Sequence, residues 1–167
     1  MNLSRLARHL LAMPGAVRRT FPPAAMAAIE QAIVRSETQH RGEVRFAVEA
    51  ALDAFSILAG ESARERALEV FAQLGVWDTA ENNGVLIYLL LADRDVEIVA
   101  DRGINALAGH AEWEAICRTM EAALRRGEFE HAVLAAIEAV TGLLARHFPP
   151  RAGGERNELA DRPTILR

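Results

Sequence analysis

The sequence contains no lysine, since all 19 basic residues among its 167 are arginine. This absence excludes enzymes that need a lysine to form a Schiff base or to hold a nucleotide phosphate in a P-loop. The single cysteine, Cys117, excludes an intramolecular disulfide and a cysteine-rich zinc module. The net charge of −4 gives no overall basic field, so we expect no nucleic-acid partner.

Long hydrophobic runs are absent as well. No stretch approaches the roughly 20 apolar residues that a transmembrane helix needs. The apolar run at residues 10–13 is shorter than the about 7–15 residues of a signal-peptide core. We therefore expect a cytoplasmic protein without a transmembrane segment, and peripheral attachment to a membrane stays open.

The N-terminal residues have a helical hydrophobic pattern. Leu3, Leu6 and Leu10 recur at helical spacing together with Met13, and arginine and histidine residues lie opposite them. This pattern predicts a short amphipathic helix that ends at the Pro-Gly pair at residues 14–15. Two interpretations follow: the helix docks on the domain, which we favour, or it contacts a partner or a membrane surface. Attachment to a membrane usually needs a second signal.

The rest of the chain alternates between strand and helix patterns. Residues 44–52 alternate in polarity, residues 85–92 are almost entirely apolar, and residues 96–100 follow an Asp-Arg-Asp turn, so these segments predict three strands. Helical patterns precede the first strand, follow Ser62 and Glu65 at capping-box spacing, and return twice after residue 110. The order predicts an α/β domain with a small sheet covered by helices.

Nucleophile, nucleotide and zinc-protease motifs are missing, but two polar groups could carry chemistry. Glu37 and His40 share one helix face, and Glu43 follows the next turn; carboxylate with imidazole suits a divalent metal or an acid–base pair. The alternative, which we favour, is a solvated helix C-terminus.

The second group is acidic and surrounds the predicted hairpin. Such oxygen-rich clusters suit calcium or magnesium, although turn aspartates also cap helices and form turns. Arg102 could bind an anion beside this group. The acidic residues are Asp78, Glu81, Asp93, Asp95 and Asp101.

Several separated motifs resemble those of the TPM domain, a family that includes phosphatase-like proteins of photosystem II repair and bacterial YgcG-like proteins. The central motif is Asn82-Asn83-Gly84 with the apolar run behind it, and the polar tail resembles that of a short bacterial subgroup. The matching segments, in chain order, are Phe21-Pro22, Glu37-x-x-His40-Arg41-Gly42-Glu43, Ala67-x-x-x-Phe71, Asn82 to Ile87, Asp93-Arg94, Asp101-Arg102-Gly103-Ile104, Trp113, Phe148-Pro149 and Asn157-Glu158-Leu159 with Asp161 and Pro163.

The resemblance implies a mixed sheet sandwiched between helices and a division into an N-terminal helix (residues 1–19), a TPM-like domain (20–149) and a polar tail (150–167). Composition alone favours a flexible tail, whereas the resemblance implies partial order. Many family members carry Asp where this chain has Asn82. Many members also carry a secretory signal and a C-terminal membrane helix, and we expect neither in this chain.

The sequence leaves two functions open for the acidic group, and a third, an accessory role in which the N-terminal helix meets a partner or a membrane surface. The first is a binding or accessory module that holds calcium or magnesium through Asp78, Asp93 and Asp101. The second is a weak metal-dependent phosphoester hydrolase, in which Glu37 or His40 serves as acid or base and Arg102 neutralises developing charge. We expect no organic cofactor, and a protein partner or a membrane-associated complex stays open as the binding partner.

Overall fold

The computed structural model describes residues 3–12, 15–151 and 157–166. None of the helices in these ranges is long and apolar enough to cross a bilayer. The helices are α1 (Leu3–Leu10), α2 (Ala16–Thr20), α3 (Pro23–Glu37), α4 (Ala54–Ala59), α5 (Ala63–Gln73), α6 (Arg102–Leu107), α7 (His110–Arg125) and α8 (Phe129–His147). The strands are β1 (Glu43–Glu49), β2 (Gly84–Leu90), β3 (Asp95–Ala100) and β4 (Thr164–Leu166).

The four strands form one mixed sheet in the order β3-β2-β1-β4. β1 and β2 are parallel with Glu43 opposite Gly84, and β3 runs antiparallel to β2. β4 pairs in parallel with the second half of β1, where Ala47 lies opposite Thr164. We call the end where β1 and β2 begin the amino end of the sheet and the opposite end the carboxyl end.

Helices cover both faces of this sheet, as the apolar run of β2 predicts. Alternate residues of β1, such as Phe46 and Val48, pack into the core formed with α3, α7 and α8. Ala47 and the β2 residues Leu86 and Leu90 pack on the other side against α4 and α5. All seven residues of β2 are buried, so the prediction of a helix-covered mixed sheet is confirmed.

Three short helices, α2, α4 and α6, were not predicted. A segment of five or six residues is too short to show a helical period in its hydrophobic pattern. Local capping identifies α4: the carboxylate of Asp53 accepts a hydrogen bond from the Ser56 amide at 3.0 Å, and Gly60 ends the helix in the left-handed conformation.

The N-terminal helix docks on the domain, but it does so through its polar side. Arg5 Nε donates to Asp93 Oδ2 at 2.8 Å, and His9 Nδ1 accepts a hydrogen bond from the Leu52 amide at 3.0 Å. Leu6 packs against the core beneath α4 and α5. Ion pairing therefore sets the orientation of α1.

The apolar residues predicted for one face of α1 consequently have different environments. Leu3 and Leu10 are exposed on the side that faces away from Asp93, whereas Leu6 is partly buried. The helix was predicted to end at the Pro-Gly pair at residues 14–15, of which residue 14 lies outside the described ranges; in the structure α1 already ends at Leu10.

The polar tail joins the sheet. Thr164–Leu166 adds β4 to the edge of β1, so composition alone gave the wrong expectation and the family resemblance the right one. The carboxylate of Glu43 accepts hydrogen bonds from the amides of Glu158 and Leu159 at 3.0 and 3.1 Å. The tail thereby covers an edge that would otherwise expose unpaired backbone groups.

Candidate functional site

Three of the segments that resemble the TPM domain meet at the amino end of the sheet: the one that contains Arg41, Asn82 to Gly84, and Asp101 to Gly103. Two glycines permit this contact: a Cβ on Gly84 would lie 2.1 Å from the Val76 carbonyl oxygen, and one on Gly103 would lie 2.5 Å from the Asn82 carbonyl oxygen. No side chain fits at either position, so glycine is required for the close approach of the loops.

Hydrogen bonds hold these loops together. The Asp101 amide donates to the Gly84 carbonyl at 2.9 Å, and Asn83 Nδ2 donates to the Arg41 carbonyl at 2.8 Å. Asn82 has a φ of 53°, a left-handed conformation that asparagine tolerates, and its Oδ1 accepts from Arg102 Nε at 3.0 Å. These bonds hold three loops, α3–β1, α5–β2 and β3–α6, together around the starts of β1 and β2.

A groove of about 620 Å³ opens beside these loops. Its centre is Glu81, whose carboxylate forms ion pairs with Arg41 and, at 2.9 Å, with Arg151. Asp78 is exposed, and in the described ranges its carboxylate has no hydrogen bond or ion pair. The lining is therefore polar, with carboxylate and guanidinium groups. The lining residues are Arg41, Asp78, Ala80, Glu81, Arg151, Asn157 and Glu158.

Asp101 begins α6 close to this groove. Its Oδ1 accepts a hydrogen bond from the Arg102 amide at 2.7 Å, so the residue acts as the N-cap of the helix. Only 8% of the residue is exposed, and within the described part of the chain Oδ2 is buried without a hydrogen-bond donor. One oxygen of this carboxylate is thus available to a further partner.

Asp93, the third predicted metal ligand, lies at the carboxyl end of the sheet. The seven-residue strand β2, which is about 20 Å long, separates Asp93 from Asp101. Burial would raise the pKa of Asp93, but hydrogen bonds from Arg5, Arg8 and His9 outweigh that effect and lower it. Asp93 is therefore an anchor for α1.

The predicted acidic set does not converge on one point. Asp78, Glu81 and Asp101 belong to the amino end, whereas Asp93 and Asp95 belong to the β2–β3 turn at the carboxyl end. Among the residues that the structure describes, no three histidine, cysteine, aspartate or glutamate side chains lie close enough together to hold a metal ion. Any cation site at the amino end must therefore use water or backbone oxygen as well.

His40 is enclosed between α3 and α8. It is 1% exposed, its Nε2 lies 2.8 Å from Ser36 Oγ, and its Nδ1 lies 3.0 Å from the Gly42 carbonyl oxygen. Ser36 Oγ in turn lies 2.6 Å from Thr141 Oγ1. Burial lowers the pKa of His40 to about 4, so the ring is neutral near pH 7.

Glu37 is the last residue of α3, and its Oε1 accepts a hydrogen bond from the Val44 amide of β1 at 3.0 Å. Burial raises the pKa of Glu37 to about 8; that hydrogen bond opposes the rise, and the nearby carboxylates of Glu43 and Asp161 add to it. Glu37 therefore holds a proton near pH 7. In the described ranges no hydrogen bond joins Glu37 and His40 to each other or to Arg102, which is exposed.

The tail supplies polar residues that sequence reasoning did not assign to a site. Asp161 lies near Glu37 and near the buried Arg45, whose Nη2 donates to Thr164 Oγ1 at 2.8 Å. Arg45 Nε and Nη1 are buried without a partner among the described residues. Glu158 accepts a hydrogen bond from the Ala80 amide at 3.0 Å. The sequence signal that could have identified these tail residues is the motif Asn157-Glu158-Leu159 with Asp161 and Pro163, which resembles the tail of the family's short bacterial subgroup.

Comparison with known proteins identifies the family. The sequence matches the family model of the TPM domain over residues 18–143, which is most of the chain, and the protein therefore belongs to the TPM-domain family. It is similar to the BA42 protein from the psychrophilic bacterium Bizionia argentinensis, whose structure was determined by NMR. The two are 28% identical with a TM-score of 0.72, and the match covers 86% of this chain and 93% of BA42. No curated protein matches the sequence significantly.

Proposed function

We propose that this small TPM-domain protein is a binding module and that a divalent cation, calcium or magnesium, binds at the amino end of its sheet. The observation that carries the proposal is the buried Oδ2 of Asp101, which has no donor among the described residues. A buried polar atom without a partner costs about 1–3 kcal/mol, and more if it is charged. A bound cation would remove that cost.

The groove offers further oxygen ligands of the kind that hard cations prefer. Asp78 contributes an exposed carboxylate without a partner in the described ranges, and Glu81 lies in the same groove. Calcium accepts roughly six to eight oxygen ligands in irregular geometry, including backbone carbonyl groups and water. Because few carboxylates are available, we expect weak binding, with a dissociation constant in roughly the millimolar range.

Hydrolysis of a phosphoester is the second candidate and has less support. A general acid or base must come within hydrogen-bond reach of the substrate. His40 is almost fully buried and bonded to Ser36 and Gly42, and the Glu37 carboxyl is bonded to the Val44 amide at the edge of β1. Arg102 is the member of the predicted catalytic set that is exposed.

Thermal unfolding and calorimetric titration with calcium chloride and magnesium chloride test the cation site. A ligand that binds the folded state alone raises the unfolding midpoint. We expect this increase in the wild type and its loss in the double variant Asp78→Asn/Asp101→Asn, in which asparagine still caps α6.

Asp93→Asn is the matched control, because it removes the predicted ligand at the opposite end of the sheet. We expect this variant to be less stable but to keep the full shift with calcium. Equal shifts in the wild type and the double variant would show non-specific screening and contradict the proposed site.

A phosphatase assay separates the two functions. We expect turnover of an aryl phosphate to stay near background between acid and neutral pH, with calcium or magnesium present. Metal-dependent turnover that disappears in Asp101→Asn or Arg102→Ala, with folding intact, would favour the hydrolase instead. Turnover that survives both substitutions would indicate a contaminating enzyme.

A further inference from the structure

A second groove, of about 440 Å³, follows the outer side of β3. β3 is an edge strand: among the residues that the structure describes, no strand pairs with it on the side opposite β2. Five of its six residues line the groove, and one face of α7, from His110 to Glu121, forms the facing wall. Each wall is about 17 Å long, which is the length of an extended peptide of about six residues. We call this cavity the β3–α7 groove.

Alternate backbone groups of β3 point away from β2 towards this groove. The Asp101 amide donates to the Gly84 carbonyl, so every second residue counted back from Asp101 is hydrogen-bonded to β2. Ile98 and Ala100 belong to the other set, and their amide and carbonyl groups face outward. The Ile98 carbonyl accordingly accepts a hydrogen bond from Arg64 Nη1 of α5 at 2.7 Å. An outer edge of this kind can pair with the backbone of an added strand.

Arg64 covers this edge. Its Nη1 also lies 3.3 Å from Glu97 Oε2, and 48% of the Arg64 side chain is exposed. Ile98 is buried beneath it, so an incoming strand must displace Arg64. An exposed ion pair contributes at most about 1 kcal/mol, so this displacement costs little. The contact also shows which chemistry fits at this edge: a cation that donates to a strand carbonyl and to a carboxylate.

Asp95 supplies an unpaired carboxylate at one end of the groove. It is half-buried, and in the described ranges its carboxylate forms no ion pair. Burial, followed by repulsion from Glu97, Glu121 and Asp93, raises the pKa of Asp95 to about 6, so the strongest charges that act on it are negative. The other carboxylates of the groove, on Glu97, Glu114 and Glu121, each pair with an arginine. An added cation therefore has its partner at Asp95.

Trp113 supplies a hydrogen-bond donor without an acceptor on the opposite wall. The residue is 4% exposed, and its Nε1 has no partner among the described residues. A buried donor without a partner costs about 1–3 kcal/mol, and a carbonyl oxygen of a bound ligand would remove that cost. Trp113 precedes Glu121 by about 12 Å along α7, and Glu121 is a neighbour of Asp95. A ligand that satisfies both Trp113 and Asp95 must therefore be elongated.

We propose that the β3–α7 groove binds an extended peptide segment of another protein, one that carries a basic side chain. The segment would add to β3 as a strand once Arg64 moves aside, and its basic side chain would pair with Asp95. One of its carbonyl groups would accept a hydrogen bond from Trp113 Nε1. A second copy of β3 fits poorly, because two such strands would bring the carboxylates of Asp95 and Glu97 from both copies to one edge. The groove shares no lining residue with the groove at the amino end, so the proposal does not depend on the cation site.

Titration of the full chain with two synthetic peptides tests the proposal. The basic probe is acetyl-TVRVKV-amide, and the acidic probe, acetyl-TVEVEV-amide, has the same strand-forming residues with the opposite charge; EDTA is present so that no divalent cation takes part. We expect the basic peptide to bind at least about tenfold more tightly than the acidic one. Amide exchange followed by NMR should slow at Ile98 and Ala100 when the basic peptide binds, because their outward amides acquire acceptors.

Variants of the groove locate the binding site. Asp95→Asn should bind the basic peptide about fivefold more weakly, and Glu97→Gln serves as a second variant with the same expected direction. Arg64→Ala should bind it about fivefold more tightly, because the edge of β3 is uncovered and Glu97 is freed. Arg118→Ala is the matched control: Arg118 lines the same groove, but it pairs with Glu114 at 3.5 Å, so its loss removes the same charge without uncovering the edge. Circular dichroism and the unfolding midpoint verify that each variant is folded.

Four outcomes would overturn the proposal. The first is the absence of binding of the basic peptide to the wild type and to Arg64→Ala alike, and the second is equal affinity for the basic and acidic peptides. The third is an increase in affinity in Arg118→Ala as large as that in Arg64→Ala, which would indicate general charge attraction. The fourth is binding that leaves amide exchange at Ile98 and Ala100 unchanged, which would assign the peptide to another surface.

Discussion

Two sets of buried charged groups on the sheet, one around Glu49 and one that includes Asp101 and Arg45, differ in how completely they are hydrogen-bonded. At the carboxyl end, Glu49 accepts hydrogen bonds from Arg66 Nε and Nη2 at 2.9 and 3.0 Å and from the Tyr88 hydroxyl at 2.7 Å. At the amino end, Asp101 Oδ2 and two nitrogens of Arg45 are buried without partners among the described residues. A buried network with all its hydrogen bonds made adds rigidity. A partly bonded network reduces the stability of the folded state by the cost of its unmade hydrogen bonds, and a bound ligand could remove that cost.

The largest expected effect comes from breaking the complete network. Glu49→Ala should lower the free energy of unfolding by about 3–5 kcal/mol, because Arg66 and the Tyr88 hydroxyl lose their buried partner. Chemical denaturation measures this loss. Glu69→Ala is the control: Glu69 also pairs with Arg66, at 3.0 Å, but its side chain is exposed, and its removal should cost less than about 1 kcal/mol. Similar losses of unfolding free energy in Glu49→Ala and Glu69→Ala would contradict the expected difference between the buried and the exposed partner of Arg66.

The two arginines on the α5 side of the sheet give the second test. Arg66→Met leaves Glu49 as a buried charge with the Tyr88 hydroxyl as its remaining partner and should cost about 3 kcal/mol. Arg45→Met removes two unpartnered nitrogens along with one hydrogen bond, to Thr164, and should cost less than about 1 kcal/mol. If denaturation shows that Arg45→Met is the more destabilising change, the amino end is better satisfied than its hydrogen bonds indicate.

The third and smallest effect is a pH dependence at the amino end. The pKa of Glu37 rises from its ordinary value of 4.5 to about 8 in the folded protein. Between these values the folded state keeps a proton that the unfolded chain has released, so this residue lowers stability as pH rises from 4.5 to 8. Glu37→Gln should therefore raise the free energy of unfolding by at least about 1 kcal/mol at pH 8 and change it little at pH 4.5.

His40 provides the internal control for that measurement. Its pKa falls from 6.5 to about 4, so the unfolded chain binds an extra proton in this range and stability decreases as pH falls from 6.5 to 4. Denaturation across pH 4–9 should show this acid-side loss in the wild type and in Glu37→Gln alike. An unchanged slope above pH 5 in Glu37→Gln would show that Glu37 is not the titrating group.

Sequence patterns predicted the parts of the fold that rest on hydrophobic periodicity. The run in β2 and the alternation in β1 gave the sheet, and Ser62 with Glu65 gave the start of α5, where both bonds of the capping box are present. The short helices and β4 could not be predicted in this way. Thr164–Leu166 spans three residues, and its strand conformation depends on the β1 edge beside it.

The predicted site residues show the same difference between what a local pattern predicts and what the tertiary structure decides. Sequence reasoning selected Asp78 and Asp101 with Asp93 because all three carboxylates belong to the acidic group around the predicted hairpin. Strand direction then decides which of them meet: β3 returns antiparallel to β2, so Asp101 lies beside the start of β2 and Asp93 beyond its end. The sequence predicted the existence of the hairpin, but the assignment of each aspartate to one end needed the sheet.

The sequence by itself determined the family, the helix-covered mixed sheet and the amphipathic character of α1, because each depends on local pattern or on recognisable motifs. Tertiary structure alone decided which side of α1 faces water, which carboxylates keep an unpartnered oxygen, and why the Glu37 carboxyl and the His40 ring are both neutral near pH 7. These properties arise from burial and from contacts between residues far apart in the chain, such as Arg5 with Asp93. An amino-acid pattern specifies what a side chain can bind, whereas its neighbours in space determine whether it is already bound.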